Sequence, residues 1–285
     1  MKELYRRKHI VNDKDFYLQH AASEHYDEVI AGDTIVYDSD TGQPVLVLAK
    51  KRIPAEEARS IYPALMQGFS YVSDNRGAYA GFKRVQTAKQ SRTPPVHSYT
   101  GGFFERQGGR IPCCRMIAFS RDNPKAWKRQ TRLLSYMAEV LRTYAPEAYE
   151  RQKAFVEKIH PDYHLADFRS GTLPFTTTAV NLSVRAAYHR DKGDFKMGMG
   201  SMSVIMKGVC YNWFLSIPEY RVALDIRNRD IILFDPHLLH ANTKGSGMGK
   251  MYRDWNRISI VGYVRQRLVD CLSFNGEVER ARRLK

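Results

Sequence analysis

The chain has 285 residues, 43% of them hydrophobic, enough for a sizeable core in one large domain or two small ones. Its 45 Lys and Arg against 30 Asp and Glu leave a formal charge of +15, which points to a polyanionic partner. No run of 18 apolar residues exists and the opening MKELYRRKH lacks an apolar signal core, which speaks against a membrane span or secretion signal; a soluble, monomeric, cytoplasmic or nuclear protein is expected. Cys113, Cys114, Cys210 and Cys271 show no C-x-x-C spacing, so reduced thiols are expected and structural zinc is not.

In chain order, TIVYDSDTGQPVLVLAK from Thr34 reads as a hairpin around Asp40-Thr41-Gly42, and IPAEEARSIYPAL as a short helix opened by Pro54. This small α+β element is expected to pack against the main domain, residues 1–99 forming an N-terminal extension and 100–285 the catalytic domain of one compact unit. From Gly77 to Gly109 the composition turns to Gly, Lys, Arg, Ser and Pro, which predicts a long mobile loop. Within it Lys83, Arg84, Lys89 and Arg92 are candidates for contact with DNA phosphates; the bland alternative is a solvated loop. Residues 123–144 form the clearest helix, with Pro124 in its first turn, Trp127, Leu134, Met137, Leu141 and Tyr144 on one face and Lys125, Lys128, Arg129 and Arg132 crowding its first half. A second helix is predicted from Pro146 to Ile159, and the basic tail GEVERARRLK is expected to fray.

The stretch FTTTAVNLSVRAAYHRDKGDF, residues 175–195, starts as an alternating strand pattern that would place Asn181, Ser183, Arg185, Ala187, His189 and Asp191 on one face. An imidazole and a carboxylate side by side, joined by one distant His, make a 2-His-1-carboxylate set that suits non-haem Fe(II). Two other H-x-D pairs, His25/Asp27 and His160/Asp162, lie in a polar stretch and beside a proline, and read as surface or loop pairs. RVALDI and DIILFD flank Asn228-Arg229 and predict a hairpin, followed by His237 and His240, both candidates for the distal ligand. In RISIVGYVR a strand would carry Arg257, Ser259, Val261, Tyr263 and Arg265 on one face. An arginine inside a barrel needs an anionic partner, and a dicarboxylate co-substrate held by Arg257 and Ser259 supplies one.

HRD at 189–191, LLHANT and Arg-x-Ser at 257–259 resemble the Fe(II)/2-oxoglutarate dioxygenases. VNLSVRAAYHRDKGD, PEYRVALDI, RISIVGY and the upstream CRMIAFSRDNPKAW and PEAYERQKAF resemble the TET/J-binding-protein branch over about residues 100 to 268. The resemblance implies an α+β fold with a double-stranded β-helix (jelly-roll) core buttressed by helices, and oxidation of the 5-methyl group of a pyrimidine in DNA with Fe(II), 2-oxoglutarate and O2. It implies His189, Asp191 and His240 as metal ligands, His240 rather than His237 because the family's distal His precedes a small residue and a turn. Arg257 and Ser259 would hold 2-oxoglutarate, with Arg185 in support. Asp194 would meet the exocyclic edge of the base, Tyr263 would stack on it, and Arg265 stands where relatives that oxidise 5-methylcytosine carry a histidine. An ionised Asp194 accepts from the N4 amino group of cytosine, so 5-methylcytosine is the expected substrate and thymine the alternative, with a 2-oxoglutarate oxygenase acting on protein or small molecules as the further reading.

Overall fold

Side chains alternate across a strand, and in this protein that alternation sorts the apolar residues into two core layers on the two faces of one large sheet. The computed structural model describes residues 1–72, 76–86, 91–107, 112–169 and 171–283. The first strands are β1 (Lys2–Arg6), β2 (Glu28–Ile30), β3 (Thr34–Asp38), β4 (Pro44–Ala49), the short pair β5 (Val85–Gln86) and β6 (Ser91–Arg92), β7 (Ser98–Phe104) and β8 (Arg115–Met116). Then come β9 (Thr177–Leu182), β10 (Gly200–Lys207), β11 (Cys210–Tyr211), β12 (Phe214–Ile217), β13 (Val222–Asp225), β14 (Ile231–Phe234), β15 (Ala241–Asn242), β16 (Ser246–Gly247) and β17 (Asn256–Tyr263). The helices are α1 (Ala55–Gln67), α2 (Ala118–Asp122), α3 (Pro124–Tyr144), α4 (Pro146–Glu157) and α5 (Phe274–Arg283).

The larger sheet runs β1-β3-β4-β14-β10-β17-β9-β7-β8 and the smaller β15-β12-β13-β2, giving the expected jelly roll with helices outside it. Along β17, Ile258 and Ile260 join the core beneath the helices, while Ser259, Val261 and Tyr263 point to the space between the sheets. Leu133, Leu134, Met137 and Leu141 of α3 are completely buried against the outer face, each such side chain contributing about 1.5–3 kcal/mol. Two glycines let α3 come so close. A methyl group at Gly262 would lie 2.6 Å from Leu134, and one at Gly101 would lie 2.5 Å from the Trp127 ring. The cationic start of α3 therefore lies on the side of the sheet away from the inter-sheet space, and its Arg132 is paired with Glu57 of α1.

Several expectations are corrected. Residues 2–49 supply β1, β3 and β4 to the larger sheet and β2 to the smaller, β4 pairing with β14 and β2 with β13, so they are built into the barrel rather than packed beside it. The supposed loop from Gly77 to Gly109 contains β5, β6 and all of β7, a strand of the larger sheet hydrogen-bonded to β9. The pair β13 and β14 is not a hairpin: the two strands belong to opposite sheets, and the connection through Arg229, with φ of +72°, is a corner between them. Cys114 and Cys271 are joined in a disulfide, and reduced thiols remain only at Cys113 and Cys210. The C-terminal segment is not frayed. It forms α5, whose Glu277 is 1% exposed and accepts the backbone N–H groups of Cys114 and Leu272, which brings those two cysteines together. Among the described residues no helix is long and apolar enough to cross a membrane.

Candidate active site

β9 stops at Leu182, sooner than the alternating pattern suggested. Ser183 has φ of +50°, a conformation held by its N–H donating to the Arg257 carbonyl (2.7 Å) and its hydroxyl accepting from the Arg257 N–H (3.1 Å). His189 and Asp191 thus lie beyond the strand, and an isolated antiparallel bridge to His240 positions them, with N–H···O distances of 3.1 and 3.0 Å between the two histidines. The Asp191 N–H is held in turn by the Pro236 carbonyl at 2.9 Å.

The ligand atoms of His189, Asp191 and His240 all lie within 4.8 Å of one another. His189 Nε2 is 3.9 Å and His240 Nε2 3.6 Å from the two oxygens of Asp191. Each imidazole places Nδ1 2.8 Å from the carbonyl two residues earlier, Ala187 and Leu238. A carbonyl only accepts, so both protons sit on Nδ1 and both Nε2 lone pairs face the carboxylate, the donor set a divalent metal requires. Burial and the neighbouring His189 lower the His240 pKa to about 4, which keeps its ring neutral and ready to ligate. His237 turns away to Asp235, 3.0 Å from its Nδ1, and that contact raises its pKa. The other two pairs serve local structure: His25 accepts from the Ala22 N–H, Asp27 pairs with Arg221, and His160 accepts from the Asp162 N–H.

Arg257 is 3% exposed, lies over the Trp213 ring at 5.5 Å, and leaves Nε and Nη2 buried without a hydrogen-bond partner among the described residues. Ser259 sits two residues on along the same strand face, its hydroxyl accepting from Asn181 at 3.4 Å. Two orphaned guanidinium nitrogens inside a barrel fit a carboxylate of 2-oxoglutarate. Arg185 does not join them. Past Leu182 the alternation no longer holds, and Arg185 donates instead to the carbonyls of Asn242 (3.3 Å) and Ala21 (3.2 Å).

A cavity of ≈ 220 Å³ is lined by His189, Asp191 and His240 together with Asp194, Tyr263 and Arg265. Asp194 is 7% exposed; burial and the Asp191 charge raise its pKa to about 8 against the opposing pull of Arg265. Arg265 forms a two-pronged ion pair with Glu105, itself 5% exposed, and lies over the Phe104 ring at 5.0 Å. Glu105 was missed by the sequence reading, although the apolar run SYTGGFF just before it is a strand signal. So were Tyr79, whose ring stands edge-on 4.9 Å from that of His189, and Arg76, which lines the cavity with its guanidinium over the Tyr79 ring and its buried Nη1 lacking a hydrogen-bond partner among the described residues. Lys83 and Arg84 are exposed, Arg92 lies in β6, and Lys89 falls outside the described residues.

Comparison with known proteins gives this geometry a family. The model for Tet_JBP, the oxygenase domain of the 2OGFeDO superfamily, matches residues 98–266. The chain belongs to the TET/JBP family. Its cofactors are accordingly Fe(II), 2-oxoglutarate and O2, which the His-Asp-His set and Arg257 fit. Within the TET/JBP family the chain is 31% identical to thymine dioxygenase JBP1 of Trypanosoma brucei brucei over 173 residues, 60% of this chain and 19% of the relative. It is 30% identical to the bifunctional helicase and thymine dioxygenase JBP2 of Leishmania braziliensis over 202 residues, 71% of this chain and 17% of the relative. The chain thus spans less than a fifth of the length of these TET/JBP relatives. Among solved structures, NgTET1 in complex with 5mC DNA superimposes with a TM-score of 0.56 at 13% identity, covering 87% of this chain and 80% of that one, a likeness of fold.

Proposed function

We propose that this protein oxidises the 5-methyl group of a pyrimidine in DNA, the base turned out of the duplex into the cavity. The observation that carries the reading is one cavity lined both by a metal-ligand set and by a buried acid and aromatic ring. A methyl group cannot reach ligands so enclosed while its base is stacked, and base flipping costs a few kcal/mol. Fe(II) with 2-oxoglutarate and O2, when bound, supplies the oxidation of the methyl C–H. Tyr263 packs against the base and Arg257 with Ser259 anchors the co-substrate. Exposed Lys83 and Arg84 supply charge for the phosphate backbone.

Thymine is the base that the relatives' names favour, and the environment of Asp194 agrees with them. Burial favours the neutral acid, and a protonated Asp194 would present a donor and an acceptor side by side, matching O4 and N3–H of thymine, with an Arg265 donor left for O2. The second reading is 5-methylcytosine. It is favoured by the proximity of Arg265, which pulls the Asp194 carboxyl toward ionisation; a carboxylate accepts from N4–H while Arg265 donates to N3 and O2. The test is a mass-spectrometric digest of two matched duplexes, one with thymine and one with 5-methylcytosine as the only 5-methylpyrimidine, after incubation with enzyme, Fe(II) and 2-oxoglutarate. Hydroxymethyluracil from the first supports thymine. Product from the second alone supports 5-methylcytosine, and product from neither refutes DNA 5-methylpyrimidine oxidation.

A further inference from the structure

Arg190 stands between two metal ligands, yet it is not among the residues that line the cavity. Its Nη1 donates to Glu219 Oε1 and to the His237 carbonyl, both at 2.6 Å, and its Nε and Nη2 donate to Asp13 at 2.7–3.1 Å. Glu219, on the turn between β12 and β13, is 2% exposed; a carboxylate so buried is costly unless paired. The same Oε1 accepts the Leu239 N–H at 3.0 Å, one residue before His240. One oxygen therefore ties the segment carrying His189 and Asp191 to the segment carrying His240.

The third member comes from outside the matched family domain. Asp13 belongs to an N-terminal arm that crosses behind both ligand segments: the His9 N–H donates to the Glu219 carbonyl (2.7 Å), the Tyr188 N–H to the Gln19 carbonyl (2.7 Å), and the Ala21 N–H to the Asn242 carbonyl (3.3 Å). We infer that Glu219, Arg190 and Asp13 are positioning residues for the metal centre, a brace that sets the separation of its two halves, and that the N-terminal arm is a working part of that centre. The histidine rings need no such help in choosing their tautomer, since local carbonyls do that. What the brace controls is whether the three ligand atoms stand close enough to share one ion.

The test is calorimetric titration of the metal-free 285-residue chain with Mn²⁺, without 2-oxoglutarate or DNA. Glu219→Gln keeps the shape and removes the charge that Arg190 needs. It should weaken Mn²⁺ binding by about 10- to 100-fold, the usual consequence of losing a partner behind a metal ligand. Asp13→Asn should weaken it less. Glu277→Gln, which breaks an equally buried carboxylate that touches neither ligand segment, should lower the melting temperature and leave Mn²⁺ affinity unchanged, separating positioning from general destabilisation. Should Glu219→Gln fail to fold, Arg190→Lys carries the same expectation, since lysine keeps the charge but lacks the fork that reaches Glu219 and Asp13 together. Folded Glu219→Gln or Arg190→Lys protein with wild-type Mn²⁺ affinity would overturn the brace, and wild-type affinity in Asp13→Asn would remove the N-terminal arm from it.

Discussion

Replacing Arg257 with methionine should stabilise the metal-free protein while disabling it. Burial pulls the Arg257 pKa down to about 10, a fall equivalent to about 3 kcal/mol of penalty on the charged form in the folded state. The folded-state pKa lies below the unfolded one, so the full penalty is present at every pH below about 10 and is relieved only as the pH climbs past it. Methionine is apolar and of similar length, and forfeits only the cation–π contact with Trp213, worth about 0.5–2 kcal/mol. The melting temperature of the metal-free variant should therefore rise by a few degrees. The two orphaned nitrogens are also where 2-oxoglutarate is to be held, and charged hydrogen bonds contribute about 1.5–3 kcal/mol each. Two of them correspond to a loss of about 10²- to 10⁴-fold in 2-oxoglutarate affinity. Differential scanning calorimetry with and without 2-oxoglutarate reads both effects: added co-substrate should raise the wild-type melting temperature by mass action and leave the variant where it was. A variant several degrees less stable than wild type, with unchanged response to 2-oxoglutarate, would refute the reasoning.

His240→Ala should abolish methyl oxidation and His237→Ala should preserve most of it, while a labelled duplex binds both with near wild-type affinity; full turnover by His240→Ala protein would show that the ligand set is wrong. The Asp194 pKa is raised from 3.8 to about 8 by folding, so its contribution to stability is complete below pH 3.8 and is lost as the pH rises through about 8. Melting curves of metal-free wild type should accordingly show stability declining toward pH 8, with a flatter profile for Asp194→Asn, and identical profiles would contradict a buried neutral acid. DNA affinity should fall linearly with salt on a log–log plot, by about 0.9 per phosphate contacted. Charge reversal at Lys83 and Arg84 should flatten that slope, and a wild-type affinity indifferent to salt would exclude a backbone-held complex.

The residues that the fold gathers into the candidate site were legible because their signals are short. HRD, the histidine of LLHANT and Arg-x-Ser at 257–259 each declare a donor set within a few positions, and α3 declares itself through Pro124 and its apolar stripe. Information that depends on distant partners was not legible. Asn228-Arg229 suits a hairpin and a corner equally well, and only the pairing of β14 with β4 and β10 decides for the corner. β7 is masked by glycines, whose purpose at Gly101 is to admit the Trp127 ring. The state of Asp194 is governed first by burial and then by Asp191, Arg265 and Glu105, of which only Asp191 is near in sequence. Glu277 pairs with Cys114 across 163 positions, so no local pattern announces that the tail is an anchored helix.

The two imidazoles are oriented by carbonyls on their own short segments, whereas the gap between them is set by contacts across the fold. Ring orientation is thus written locally and ligand spacing globally. If heat or denaturant opens the bridge between His189 and His240 before the rest of the barrel, each ring remains dressed for coordination on a half-site too poor to hold an ion firmly. An ion arriving during refolding would draw the halves together, making the metal a template for the last closure of the barrel as well as its passenger.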